Sequence, residues 1–318
     1  MTVLLVVGEG RLGPALMAAG GEGAELLWAP AQAVADRREA QRLRPAWAAA
    51  AGARGTADWR EALEEADAVA VDLAGERDWR TREAVAEAAL ARGRAVLVDA
   101  PASDRPQGYA RLLEVRAKGG GRLWSVRPVR RSLAAQAGER ALGAGAAGRV
   151  LALYGALRLP AGGAGASLEQ SWADLVDAAL ALAGPQAALV RLGAWEVRDE
   201  GGFEAVQAVG RLTGGEVATL EVAHCLTAGS GEEREALFEV TGEEGIVRVR
   251  PDAARVEVAG ARRRRVSWRE DPIAAAWEAF LSGADEGQAE AEADRRVIAA
   301  LAMLRRARAT GDAQPAEG

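Results

Sequence analysis

Two sets of residues in this chain have types and spacings suited to chemistry. The first is Gly8-Glu9-Gly10-Arg11-Leu12-Gly13, a GxGxxG pattern directly after the apolar run Val3-Leu4-Leu5-Val6-Val7. At a strand-to-helix turn such a pattern suits a dinucleotide. Its first glycine permits the turn, the second lets backbone approach a pyrophosphate, and the third lets helix lie close on strand. The N-terminus of the following helix offers free N–H groups and a partial positive charge to the phosphates. Glu9 sets a carboxylate beside that spot, and Arg11 offsets it. A glycine-rich turn without a ligand is the competing reading. The next strand ends at Ala29, where an acidic residue would bind a ribose 2′-hydroxyl. Asp36 arrives about two helical turns too late. Arg37 and Arg38 read as an exposed helix face rather than as 2′-phosphate ligands. NAD and NADP therefore both stay open.

The second set is Asp174 and Asp177, three residues apart and so on one helix face. Two nearby carboxylates raise one another's pKa, which leaves one as a base and the other as its orienter. Capping or solvating a helix start is the alternative. Arg131 and, more weakly, Arg127 have the chemistry to hold a substrate carboxylate or hydroxyl. His224, the only histidine, lies in an alternating strand and reads as structural or interfacial. Trp172 reads as core before it reads as a stacking platform. No His/Cys cluster has metal-ligand spacing, and neither a GxSxG elbow nor a Walker loop occurs.

Composition narrows the class. The chain has 318 residues, 49% hydrophobic and 27% charged, a globular balance with length for two domains. A net charge of −6 argues against nucleic acid as a partner. The basic run Arg262 to Arg265 reads as a charged strand edge that blocks strand-to-strand association. No apolar run approaches the roughly 20 residues that span a bilayer. The N-terminus lacks the features of a signal peptide. Cys225 is the only cysteine, so no disulfide closes within the chain. A cytoplasmic protein is the expectation. Lys118 is the only lysine, so any chemistry needing a primary side-chain amine has that one residue to use.

These residues need elements to hold them. Over the first 125 residues, strand-like segments (3–7, 24–29, 67–74, 95–100, 122–128) alternate with helical ones, which predicts βαβ units and a doubly wound parallel sheet. From 126 onward a helix (133–146), a strand, a glycine-rich loop (160–167) and an amphipathic helix from Ser167 precede seven successive strand-like segments. Strands without helices between them predict a mainly antiparallel sheet. Helices near 272–282 and 287–309 close the chain, and 311–318 reads as a disordered tail. The expected fold class is α/β: residues 1–125 form a Rossmann domain, and 126–310 an α+β domain with an open sheet.

In this order and spacing, "VLLVVGEGRLGPAL", "ADAVAVDLAGERDWRTREAVAEAALARGRAVLVDAP", "LWSVRPVRRS", "TGEEGIVRV" and "ADRRVIAALAMLRRARATG" resemble the glucose–fructose oxidoreductase and inositol dehydrogenase (Gfo/Idh/MocA) family. The resemblance covers nearly the whole chain. It implies hydride transfer between NAD or NADP and a sugar, polyol or related small alcohol or carbonyl compound. It also implies a homodimer or higher homo-oligomer through the C-terminal sheet, a natural surface if that face is apolar. Cofactor contacts would come from Gly8, Gly10, Arg11, Leu12, Gly13, Asp72, Leu73, Asp99 and Pro101. The family's Glu-Lys-Pro turn falls on Asp99-Ala100-Pro101, so the lysine is replaced by Ala100. Its histidine falls on Asp174, its next aspartate on Asp177 and its arginine on Arg131. Lys118, roughly 15–20 Å along a helix from the turn, cannot stand in for the lost amine. Two readings follow: an oxidoreductase with an altered active site, or a non-catalytic relative that binds a nucleotide or metabolite as a sensor or partner subunit. A transferase or lyase on the same scaffold is a third.

Overall fold

The computed structural model describes residues 2–10, 12–18, 24–73, 79–160, 167–198, 203–226, 234–259, 264–267, 272–282, 288–310 and 314–315. The chain divides into two compact units. The first comprises Met1–Val126, Gly165–Ser167 and Ile273–Arg295; the second comprises Arg127–Ala164, Leu168–Pro272 and Arg296–Gly318.

In the first unit β1 (Thr2–Gly8), α1 (Leu12–Ala18), β2 (Ala24–Ala29), α2 (Arg37–Leu43), α3 (Ala46–Ala50), β3 (Arg54–Gly55), α4 (Trp59–Glu65), β4 (Ala68–Asp72), α5 (Trp79–Ala91), β5 (Ala95–Asp99), α6 (Pro106–Gly119) and β6 (Arg122–Val126) alternate. The strands pair in parallel in the order β3-β2-β1-β4-β5-β6. Order reverses between β1 and β4, and a doubly wound sheet binds its ligands at the carboxyl ends of such strands. Leu4, Leu5, Val6 and Val7 of β1 are fully buried, as a strand covered by helices on both faces requires. The stretch 30–57, to which sequence periodicity assigned nothing, holds α2, α3 and β3. Each is too short to show a period. Asp36 is the N-cap of α2, accepting from the Glu39 amide at 2.8 Å, and Arg37 and Arg38 are exposed.

The second unit opens with α7 (Leu133–Gly143), β7 (Val150–Pro160) and α8 (Leu168–Ala183). It continues through β8 (Leu189–Arg198), β9 (Glu204–Leu212), β10 (Val217–Leu226), β11 (Glu235–Gly242), β12 (Ile246–Arg250), β13 (Arg255–Ala259) and β14 (Arg264–Ser267). After α9 (Pro272–Leu281) and α10 (Gln288–Thr310), β15 (Gln314–Pro315) joins the edge of the sheet by pairing with β8. The rest of the tail lies outside the described residues, as do Arg262 and Arg263 of the basic run. Arg264 and Arg265 belong to the other edge strand, β14. The order is β14-β13-β12-β11-β7-β10-β9-β8-β15, antiparallel except where β7 and β10 run parallel. The fold is therefore α/β, a parallel sheet followed by a mixed, mainly antiparallel one. No described helix is long and apolar enough to cross a membrane.

Two details depart from the linear reading. The expected second domain, 126–310, contains Ile273–Arg295, which groups with the first unit. Trp277 and Phe280 of α9 are buried there with Leu12, Leu16 and Trp28, which complete one apolar core. The outer face of the large sheet also carries ion pairs. Arg158 of β7 pairs with Glu221 (3.2 Å) and Glu235 (3.0 Å), and Arg248 pairs with Glu239 (2.5 Å). The same sheet also exposes Leu151 of β7, Trp195 and Val197 of β8, Val209 of β9 and Val217 of β10.

On the inner face Phe238 is fully buried against α8 and its neighbours. Phe238→Ala should lower stability by about 3–5 kcal/mol. Urea unfolding checks this, and a loss under about 1 kcal/mol would remove Phe238 from the core.

Candidate functional site

The glycine turn closes on a carboxylate of the chain itself. Gly8 has φ +103°, a conformation that favours glycine, and a Cβ there would lie 2.4 Å from the Asp72 carbonyl oxygen. Asp72 ends β4 beside Gly8, since the two are register partners. Its carbonyl accepts from the Gly10 amide at 2.9 Å. Its side chain turns into the start of α1 and accepts from Leu12 N at 2.8 Å (Oδ1) and Gly13 N at 2.7 Å (Oδ2). Asp72 has no solvent exposure. The close approach that Gly10 permits is made by this side chain, because a Cβ at Gly10 would stand 2.5 Å from Asp72 Oδ1. Gly13 is required by Trp47 of α3, whose ring would lie 2.3 Å from an added Cβ.

Carbonyls of the turn are satisfied as well. Trp28 Nε1 donates to Gly8 O at 2.8 Å, and Trp277 Nε1 donates to Leu12 O at 3.0 Å. Beyond the turn, the buried guanidinium of Arg82 (α5) donates to the carbonyls of Leu73, Asp99 (3.3 Å) and Pro101 (3.2 Å). The Trp79 ring covers it, 4.3 Å from ring centroid to Cζ. Leu73, Asp99 and Pro101, which the resemblance gives as cofactor contacts, here offer their carbonyls to the internal cation of Arg82. Ala100 is buried and has only a methyl group to offer. Lys118 pairs on the surface with Glu114 at 2.5 Å. Arg11 lies outside the described residues.

A fold-implied dinucleotide can be tested against this geometry. Amides at the start of α1 are the groups a diphosphate would meet at such a turn. In this structure Asp72 holds the Leu12 and Gly13 amides of the turn. A separate cavity of about 370 Å³ opens beside the end of β2, lined by Ala31, Gln32, Trp59, Arg60, Arg80 and Thr81 among others.

In the second unit, α8 is buried almost all round. Asp174 and Asp177 are each 5% exposed. Asp177 Oδ1 receives Arg127 Nη1 at 2.9 Å and lies 3.5 Å from Arg130 Nη1. Arg127 has no exposed side-chain surface. Asp177 is therefore the counter-ion of a buried arginine, and Arg127 its partner rather than a substrate ligand. Arg131 lines a cavity of about 390 Å³ with Arg130, Gln136, Glu139 and Arg140, a largely cationic setting that suits an anionic ligand. Trp172 lies fully buried in the core. His224 faces Ser171 of α8 and Glu204 of β9. Among the described residues no group of three or more His, Cys, Asp or Glu side chains could hold a metal ion.

Sequence reasoning named Asp72 but not its part, and it missed Arg82, Trp28 and Trp277. An aspartate ending the strand beside a glycine turn was the available signal for the first. The others follow only from packing.

Solved structures share this fold. A putative oxidoreductase from Thermotoga maritima aligns at TM-score 0.79 and 15% identity, covering 99% of this chain and 100% of that one. Levoglucosan dehydrogenase in complex with NADH and levoglucosan aligns at 0.74 and 16%, covering 100% of both. GenD2 from gentamicin A biosynthesis in complex with NAD aligns at 0.76 and 18%, covering 100% of this chain and 97% of that one. No protein-family model and no curated protein matches the sequence. The resemblance drawn from the motifs thus holds at the level of fold: the structural neighbours are NAD-binding oxidoreductases, sugar dehydrogenases among them.

Asp177→Asn removes the carboxylate charge that the buried Arg127 meets at 2.9 Å, which should cost about 3–5 kcal/mol. Glu114→Gln on the surface should leave the unfolding midpoint unchanged. Chemical denaturation of both variants checks the contrast.

Proposed function

We propose that this chain is a relative of the Gfo/Idh/MocA oxidoreductases that no longer performs hydride transfer. It binds a small acidic metabolite in its second unit and acts as a sensor or partner subunit. The observation that carries this reading is the Asp72 carboxylate on the Leu12 and Gly13 amides. Two further features support it. Ala100 stands where the resemblance places a lysine, and Asp177 is engaged by two arginines. The arginine-lined cavity at Arg130, Arg131 and Arg140 suits a carboxylate or phosphate ester.

The second reading is the NAD(P)-dependent oxidoreductase acting on a sugar, polyol or related small molecule. It is favoured by the retained GxGxxG turn and by neighbours solved with NAD or NADH. In that reading Asp72 swings out to admit the cofactor, and the buried Asp174 takes the hydroxyl proton. The first reading accounts for more of the geometry, because it leaves every group of the turn where it stands.

Titration with NADH and NADPH, followed by tryptophan fluorescence and calorimetry, separates the two. The unaltered chain should show no saturable binding below about 1 mM. Asp72→Ser removes the competing anion, frees two N–H groups and should tighten binding about 10- to 100-fold. Micromolar binding by the unaltered chain, with reduction of NAD by any member of a polyol and sugar panel, would replace the first reading with the second.

A further inference from the structure

The single histidine of the chain sits in a setting that neither reading uses. His224 Nε2 is 3.3 Å from Ser171 Oγ, and His224 Nδ1 is 3.0 Å from Glu204 Oε1. Each ring nitrogen therefore has a partner of a different kind, a hydroxyl on one side and a carboxylate on the other. We propose that Ser171, His224 and Glu204 form a serine–histidine–carboxylate triad that hydrolyses esters of small carboxylic acids. Such a triad is recognised by geometry and roles rather than by sequence position.

Three elements of the second unit position it. Glu204 and His224 are directly opposed in the antiparallel register of β9 and β10, so the backbone fixes carboxylate against ring. Ser171 lies in the first turns of α8, which packs on that face of the sheet. Glu204 sets the tautomer: by accepting Nδ1–H it leaves Nε2 with a lone pair toward the hydroxyl. The charged groups around the ring are few. Glu204 faces it from β9, and Arg198 of β8 lies 3.6 Å from the other Glu204 oxygen. From α8 it meets Ser171, and its register partner in β7 is the apolar Leu159. Burial pushes the imidazole below its ordinary 6.5, with Glu204 opposing, so the ring is neutral near pH 7 and able to accept a proton.

Ser171 Oγ forms a bond to the acyl carbon while its proton passes to His224 Nε2. His224 returns that proton to the departing alkoxide as the ester C–O bond breaks, leaving an acyl-serine and an alcohol. Water then attacks the acyl carbon, giving its proton to His224, and the acid leaves as Ser171 Oγ recovers a proton. Ester and water become acid and alcohol, with no oxidant or metal needed. Ser171 is 1% and His224 7% exposed, so the acyl group must be small. This activity goes beyond the proposed function and shares no residue with it.

The test uses the full chain. It is treated with a fluorophosphonate probe and, separately, with 4-nitrophenyl acetate, and peptide mass mapping locates the label. The proposal expects covalent modification at Ser171 and a burst of one nitrophenolate per chain. It expects loss of hydrolysis by about a hundredfold or more in Ser171→Ala and His224→Gln. The rate should fall with decreasing pH only below about 6.5, as His224 takes up a proton. Label confined to other residues, or Ser171→Ala hydrolysing at the unaltered rate, would overturn it. Mapping on the unaltered chain decides the matter even if a variant does not fold.

Discussion

A carboxylate bound to the amides of a glycine turn is the constraint around which the first unit is arranged. A buried charge without partners is costly, and a helix N-terminus is among the few places in a fold that can hold one. The turn after β1 provides that place, and Asp72 fills it from the end of β4. The electrostatics are those of a dinucleotide-binding turn: N–H groups converging on negative charge. The difference is the source of the anion, which here is covalently part of the chain.

Neighbouring groups follow the same rule. Two indole N–H groups, from Trp28 and Trp277, take carbonyls of the turn. The Arg82 guanidinium takes carbonyls at the ends of β4 and β5 and just beyond. Donors and acceptors that a ligand would have met are met from within. These contacts hold the turn and the ends of β4 and β5 in place from within the chain.

The second unit is organised around α8, which buries both polar and apolar residues. Asp177 is needed there because Arg127 is buried beside it, and a buried guanidinium demands a counter-ion. Ser171 meets His224 on the same helix. The large sheet protects its outer face with paired Arg and Glu side chains, which keep that face soluble and discourage indiscriminate association. Leu151 of β7, Trp195 and Val197 of β8, Val209 of β9 and Val217 of β10 are exposed apolar side chains of the same sheet.

The sequence by itself determined the alternation of buried strands and amphipathic helices, the change of pattern near residue 126, the glycine turn and the methyl side chain at Ala100. These are local: periodicity of 2 or 3.6, turn residues and the identity of one side chain are readable along the chain. Tertiary structure decided who meets whom. Asp72 and Leu12 are 60 residues apart, Trp277 and Leu12 are 265 apart, and Ser171 and His224 are 53 apart. No spacing rule joins residues at such separations. Whether a carboxylate is a ligand, a base, a plug or a counter-ion depends on the groups that the folded backbone brings within 3 Å of it. Only the completed sheet and its packed helices set that distance.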